Sequence, residues 1–263
     1  MVRKLNYLLV LFLCSTLFSF AQENEIFLMR FHEMDVTGNQ GEFIAANKNY
    51  FKPLAEQAIK DNIWAGWQML RSVTEPNKYI FIHYFSSPKQ YAAVTNPFSP
   101  EVAKKLGLKS PNSDSYKWKT TAPQEIFQVV MAVGGNSKSN YWMKNDFKFN
   151  NSQKFIDNNK LWGELVVKKM QKDIKGMNWG FGVNLSSAHF ENGEAISYNG
   201  VSFDGAASLD ELLTNRAYKE NPEANQTLNK VWQNFQKEVQ EKDLTNFSTA
   251  NRSTMWQLVD STW

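Results

Sequence analysis

The chain has 263 residues, 42% of them apolar and 14% aromatic, including nine Trp and nineteen Phe. A length of this order supports a core that does not depend on disulfides. Loss of residues 1–21 removes Arg3, Lys4 and the single cysteine, Cys14, and leaves 27 basic against 26 acidic residues. This excludes an electrostatic nucleic-acid or anionic-surface binder, and with it disulfides, thiolate metal sites and cysteine nucleophiles in the mature chain.

Residues 1–21 have the parts of a secretory signal: Arg3-Lys4, an apolar run over 8–18, and Ser19-Phe20-Ala21 before Gln22. The apolar run is shorter than the ~20 residues of a bilayer span, and Leu13 stands where a lipoprotein signal at Cys14 needs a small residue. The expectation is export to the periplasm or the cell exterior, without membrane association after cleavage.

A strand is predicted over 25–34, with Phe27, Met29 and Phe31 on one face and Leu28, Arg30 and His32 on the other. A helix follows over 42–60 with Phe43, Tyr50, Leu54 and Ala58 as its stripe, kinked or restarted at Pro53. Strands over 63–73 and 79–85 flank a polar hairpin at 74–78. Ser86-Ser87-Pro88 starts a short helix, 101–106 is another, and 116–121 is a fourth strand. The same order is then predicted again. A strand covers 125–133, a polar insertion 134–150, a helix 152–172 and a strand 179–190. The turn Asn192-Gly193, a strand over 195–203, helices opening at Ser208 and Asn221, and a strand over 253–259 complete it.

Three correspondences suggest a duplication: Glu25-Ile26-Phe27 with Glu125-Ile126-Phe127, Ile59-Lys60…Trp64 with Ile174-Lys175…Trp179, and Ser115…Trp118 with Ser253…Trp256. Each copy has the pattern of a ferredoxin-like βαββαβ unit, whose uncovered sheet face needs a partner. The fold expected is α+β: two ferredoxin-like repeats, 22–123 and 124–263, packed sheet to sheet as an intramolecular pseudo-dimeric α/β barrel. The second repeat would carry insertions near 134–150 and 214–240. A fused pair needs no second chain, so a monomer is expected.

In this pattern the chain resembles the dimeric α/β-barrel superfamily, with its antibiotic-biosynthesis-monooxygenase-like and NIPSNAP-like members. The resemblance implies a fold and a place to look. It does not imply one activity, because the superfamily spans cofactor-free oxygenases, haem-using and haem-degrading enzymes, isomerases and binding domains.

His32 and His83 fall on neighbouring antiparallel strands, where both rings can reach one pocket; the bland alternative is two hydrogen-bonded, half-buried rings. His189 sits near a hairpin end. Arg30 and Arg71 interrupt apolar strands, each needing an anionic partner from the protein or a ligand. Trp67 beside Arg71 reads as a ligand wall or as core. Asn184, Ser186, Ser197 and Asn199, with Tyr198 among them, either line a wet cavity or face solvent. Gly180 and Gly182 allow close approach on one face. Gly134-Gly135-Asn136 lacks the rest of a phosphate loop, and no hydrolase, zinc-protease, calcium or dinucleotide motif occurs.

The ligand-binding candidates are therefore Arg30, His32, Trp67, Arg71, His83, Asn184 and Tyr198, with no catalytic residue and no metal ligand assigned. The leading expectation is a small, partly apolar ligand in a cavity between the repeats. The alternatives are a cofactor-independent oxygenase or a haem-handling enzyme, and a non-catalytic structural module.

Overall fold

The computed structural model describes residues 26–93, 96–121, 124–134, 139–173, 177–186, 189–191, 194–196, 198–220 and 226–262; the expected leader lies outside them. In the first repeat β1 (Leu28–Gly38), β2 (Gly66–Ser72), β3 (Lys78–Phe85) and β4 (Tyr116–Thr120) pair antiparallel in the order β4-β1-β3-β2. Helix α1 covers 40–60 as Gln40–Ala46, a π-helical stretch Asn47–Phe51 and Lys52–Lys60. Two short helices, α2 (Pro88–Ala92) and α3 (Pro100–Lys105), each start at a serine cap followed by proline.

A separate strand, β5 (Glu125–Val133), precedes the second repeat. That repeat contains β6 (Tyr141–Phe149), α4 (Ser152–Trp162, a π-helical Gly163–Val167, and Lys168–Asp173) and β7 (Asn178–Asn184). The small hairpin β8 (His189–Glu191) and β9 (Glu194–Ile196) follows, then β10 (Gly200–Ala206), α5 (Leu209–Glu220), α6 (Gln226–Glu241) and β11 (Ser248–Ser261). The order β11-β6-β10-β7 repeats that of the first half.

The last strand of each repeat crosses to the other. β4 lies beside Met34–Gly38 of β1, and after residues 121–124 β5 continues on the same side along Leu28–Phe31. It then pairs through a bulge with β7. β11 does the same in reverse, following β6 from Ser248 to Gln257 and then β2 from Trp256 to Ser261. Because β1 also pairs β3, the strands β1-β3-β2-β11-β6-β10-β7-β5 form a closed ring with β4 outside it. Closure leaves the ring without a free edge.

This topology corrects three expectations. The second repeat begins with β6, inside the stretch read as a polar insertion, while Glu125–Val133 completes the last strand of the first repeat. The join therefore lies between Val133 and Tyr141 rather than at 124. Glu125 sits opposite Phe31 on the neighbouring strand, so the Glu-Ile-Phe match is not an equivalence. Nor do Trp118 and Trp256 correspond: Trp118 is 49% exposed on β4, and Trp256 is buried in the ring.

The duplication instead appears at a spacing of 112 residues. Asn39 and Asn151 cap α1 and α4, each accepting from the backbone N–H three residues on. Phe43 and Phe155 are buried one turn later, and Asn47 and Asn159 donate to the carbonyls of those two phenylalanines. Trp67 and Trp179 complete the series. The Ile-Lys match, at a spacing of 115, missed this register.

Alternation along the strands divides the core. Phe43, Ala55 and Ala58 of α1 pack on the outer face of the first sheet with Leu28, Met34 and Trp67. Phe155, Val166 and Met170 of α4 do so on the second with Trp179 and Phe181. Inside the ring Phe31 packs on Phe127 and Phe203 at 5.0 and 5.5 Å between centroids, among Leu70, Ile80, Ile82 and Trp256.

At one end of this interior stands Lys144, 1% exposed. Its Nζ lies 2.6 Å from Asp146, 3.8 Å from Glu33 and 3.9 Å from Glu125, and Arg252 reaches Asp146 at 3.1 Å. Burial alone would lower the Lys144 pKa. Asp146, Glu125 and Glu33 outweigh that and hold it above the ordinary lysine value. Glu33 and Glu125 come from the strands of the first half and Lys144 from the second, so one buried cation joins the halves. Lys144→Met should leave the carboxylates without it and destabilise the protein by about 3–5 kcal/mol in urea unfolding; a loss below about 1 kcal/mol would show that the cluster contributes little.

Candidate functional site

Two cavities lie on opposite sides of the sheet wall. The larger, about 380 Å³, is inside the ring between the repeats, away from Lys144. Leu70, Ile82 and Tyr84 line it from the first repeat, and Trp142, Gly180 and Phe203 from the second. Its described wall carries no charged side chain. The polar groups are Gln68 and Tyr84, joined by a 2.7 Å bond from the Tyr84 hydroxyl to Gln68 Oε1, and Asn178, whose Nδ2 donates to Ser139 Oγ at 2.6 Å. Burial raises the Tyr84 phenol pKa, so it stays protonated and donates. The room exists because β7 and β5 place Gly180 opposite Ala132 at this level. Neighbouring Gly182 is needed for another reason: a Cβ there would stand 2.6 Å from the Gln128 carbonyl oxygen.

The second cavity, about 180 Å³, lies under α1 on the outer face of the first sheet. His32, His83 and Trp67 line it with Asn47, Phe51 and Phe98. His32 lies opposite Phe81 and Arg30 opposite His83 in the β1–β3 register, so the two imidazoles are diagonal neighbours. His32 Nε2 is 3.0 Å from the Thr120 hydroxyl. His83 is 5% exposed, packs edge-on to Trp64 at 4.5 Å, and its Nδ1 has no hydrogen-bond partner. Burial, followed by the charge of Arg30 and then His32, holds the His83 pKa well below the usual value, while a backbone hydrogen bond at Arg30 acts weakly the other way. Burial and then Arg30 lower that of His32. Both rings are therefore neutral at pH 7.

The other candidates lie elsewhere. Arg30 sits over the Phe85 ring at 5.8 Å with its Nε unpartnered, and burial lowers its pKa while Tyr91 opposes. Arg71 is at the hairpin end, donating to the Pro76 carbonyl at 2.6 Å, and belongs to neither cavity. Asn184 binds the Tyr198 carbonyl at 2.9 Å and Glu125 at 3.5 Å. The Tyr198 ring lies 5.1 Å from Arg252. These two extend the ionic end of the ring, opposite the large cavity. Asn199 brackets Phe149 through two backbone bonds. Ser197 and the His189 side chain lie outside the described residues. Sequence reasoning missed Gln68, Tyr84, Ser139, Asn178 and Lys144. For Gln68 a signal existed, a lone amide in the apolar run Trp67-Gln68-Met69-Leu70.

Under the helix of the second repeat the described side chains pack closely. A Cβ on Gly163 would stand 2.8 Å from the Met131 sulfur and 2.9 Å from Trp179, and one on Gly200 within 2.8 Å of Phe149 and Phe155. On that face Asn145 Nδ2 donates to Asp204 at 3.0 Å and to Ser202 at 3.2 Å, and Asn145 Oδ1 accepts from Ser253 at 2.7 Å. Hydrogen bonds thus occupy the side of the sheet where the first repeat keeps imidazoles beside a void.

Among the described residues no group of three or more His, Cys, Asp or Glu is placed to hold a metal ion, and no helix is long and apolar enough to cross a membrane. A void near 150 Å³ holds about one benzene ring, so the 180 Å³ space is too small for a porphyrin; the larger space has no imidazole on its described wall.

No family model and no curated protein matches the chain. Among solved structures it is similar to a proposed monooxygenase from Fusobacterium nucleatum, with a TM-score of 0.53 and 9% identity over 90% of this chain and 94% of that one. An anthrone oxidase-like protein follows, with a TM-score of 0.47 and 11% identity over 90% and 94% of the two chains. A proposed monooxygenase from Lactobacillus acidophilus has a TM-score of 0.47 and 13% identity over 89% and 95%. At 9% identity the likeness to the Fusobacterium protein is one of fold, and it agrees with the topology: the chain is a fused pair of ferredoxin-like repeats with the architecture of a dimeric α/β barrel.

Proposed function

We propose that the protein is an exported, monomeric binder of a small, largely apolar molecule, held in the cavity between the repeats. The observation that carries this reading is the 380 Å³ space itself, walled by aromatic and aliphatic side chains from both halves, with few polar groups and no charge among its described lining residues. These are the usual features of a small-molecule site. Export rests on the composition of residues 1–21, and the monomer on a ring that closes within one chain. Ala132 is an exposed residue on the cavity wall, so Ala132→Trp fills the space at little cost to folding. Titration of the mature protein with 2-ethylnaphthalene, followed by tryptophan fluorescence, should show binding that this variant weakens at least tenfold, with its thermal midpoint nearly unchanged. Undiminished binding would place the probe elsewhere.

A second reading, catalysis in the cavity under α1, is favoured by the placement of His32, His83 and Trp67 around one void and by the description of the Fusobacterium neighbour as a proposed monooxygenase. A neutral imidazole is the form that accepts a proton, and a weakly acidic aromatic ligand would be its target. Because the folded-state His83 pKa is depressed, its contribution to stability is present above the unfolded value near 6.5 and is lost as pH falls towards the folded value. Unfolding free energies of the wild type from urea titrations should therefore fall between pH 7 and pH 5, by up to about 1.4 kcal/mol per pH unit from this residue. His83→Phe should flatten that slope. An unchanged slope would mean that the folded state does not depress the His83 pKa.

A further inference from the structure

We infer that the cavity between the repeats selects a neutral ligand that carries a hydrogen-bond acceptor, such as a ketone or ester on an apolar body, and that the amide nitrogen of Gln68 reads this acceptor. The inference rests on the binding reading above and adds the chemistry of what is bound. Gln68 is 4% exposed on β2 and lines the cavity. Its oxygen already accepts from the Tyr84 hydroxyl at 2.7 Å. That bond fixes the orientation of the amide and leaves two N–H donors, for which the described residues provide no partner. The nitrogen is not sealed in the wall, as Trp142 Nε1 is, so it borders the open space. A buried amide donor of this kind favours an acceptor brought in by a ligand.

The duplication accounts for the space in front of it. At the 112-residue spacing that relates Trp67 to Trp179, the position corresponding to Gln68 is Gly180. In the ring order β2 and β7 face one another. One repeat thus supplies an amide, and the other leaves room where a second long side chain would meet it. The rest of the described wall carries no charge. With no counter-ion among its described residues, a carboxylate or ammonium ligand would lose its hydration without compensation. Ser139 and Asn178 are already bonded to each other at 2.6 Å and Trp142 Nε1 is sealed in the wall, which leaves the Gln68 amide, among the described lining residues, as the donor open to a ligand.

The test uses the whole mature chain and three probes of nearly one shape: 2-acetylnaphthalene, 2-ethylnaphthalene and 2-naphthoate. The ketone should bind the wild type about tenfold more tightly than the hydrocarbon, as one buried hydrogen bond allows, and the carboxylate should bind most weakly. Gln68→Met keeps the length of the side chain and removes the donor. It should erase the preference for the ketone while leaving the hydrocarbon within about twofold. A ketone preference that survives Gln68→Met, or naphthoate as the tightest ligand, overturns the inference. Equal binding of ketone and hydrocarbon by the wild type also overturns it, without the variant. If none of the probes binds, it is the underlying reading of the cavity that fails.

Discussion

The exchange of last strands between the two repeats is the constraint from which the other features follow. A ferredoxin-like sheet alone presents one bare apolar face and two open edges. Stacking two such sheets would cover the faces. Carrying β5 onto β7 and β11 onto β2 satisfies the edges as well, and the pair becomes a ring. The interior of the ring is then sealed at its sides by backbone hydrogen bonds, and what fills it is decided by the inward side chains alone. Large aromatics fill the middle, Lys144 and its carboxylates fill one end, and at the other end small residues at 132 and 180 leave a cavity.

The repeats have diverged in what they do with the space beneath their helices. In the first, the aromatics around α1 stop short of closing, and two neutral imidazoles border the gap. In the second, Met131 from the crossing strand fills the place under α4, and Gly200 lets Phe155 and Phe149 close on the sheet. Asn145, Ser202, Asp204 and Ser253 bond one another where a ligand would otherwise satisfy them. Both helices retain a π-helical stretch, a local irregularity often found at functional sites, and in the first, two residues of that stretch, Asn47 and Phe51, line the void beside the imidazoles.

Much of the architecture was legible in the sequence because helices and strands announced their periods. The stripe of α1, the proline-led short helices and the duplicated order all followed from local pattern. The failure fell on β6, and it had one cause. Its inward residues include Lys144 and Asp146, which are charged and read as solvent-facing. Their burial is possible only because Glu33 and Glu125, more than a hundred and about twenty residues earlier in the chain, complete the cluster. No local rule sees such a partner. The same blindness shifted the repeat boundary, since a strand that finishes one repeat while pairing with the other looks like the start of the second. Of the site, the His32–His83 pairing was legible from strand alternation. Gln68 was not singled out, because its role depends on Tyr84 beside it and on the glycine across the ring.

Diffraction from crystals held under xenon pressure addresses the closed, hollow ring most directly. The structure requires xenon within the ring, in contact with Leu70, Phe203 and Gly180. Strands β2 and β11 in an unpaired arrangement, or xenon confined to the space under α1 with nothing inside the ring, would contradict it.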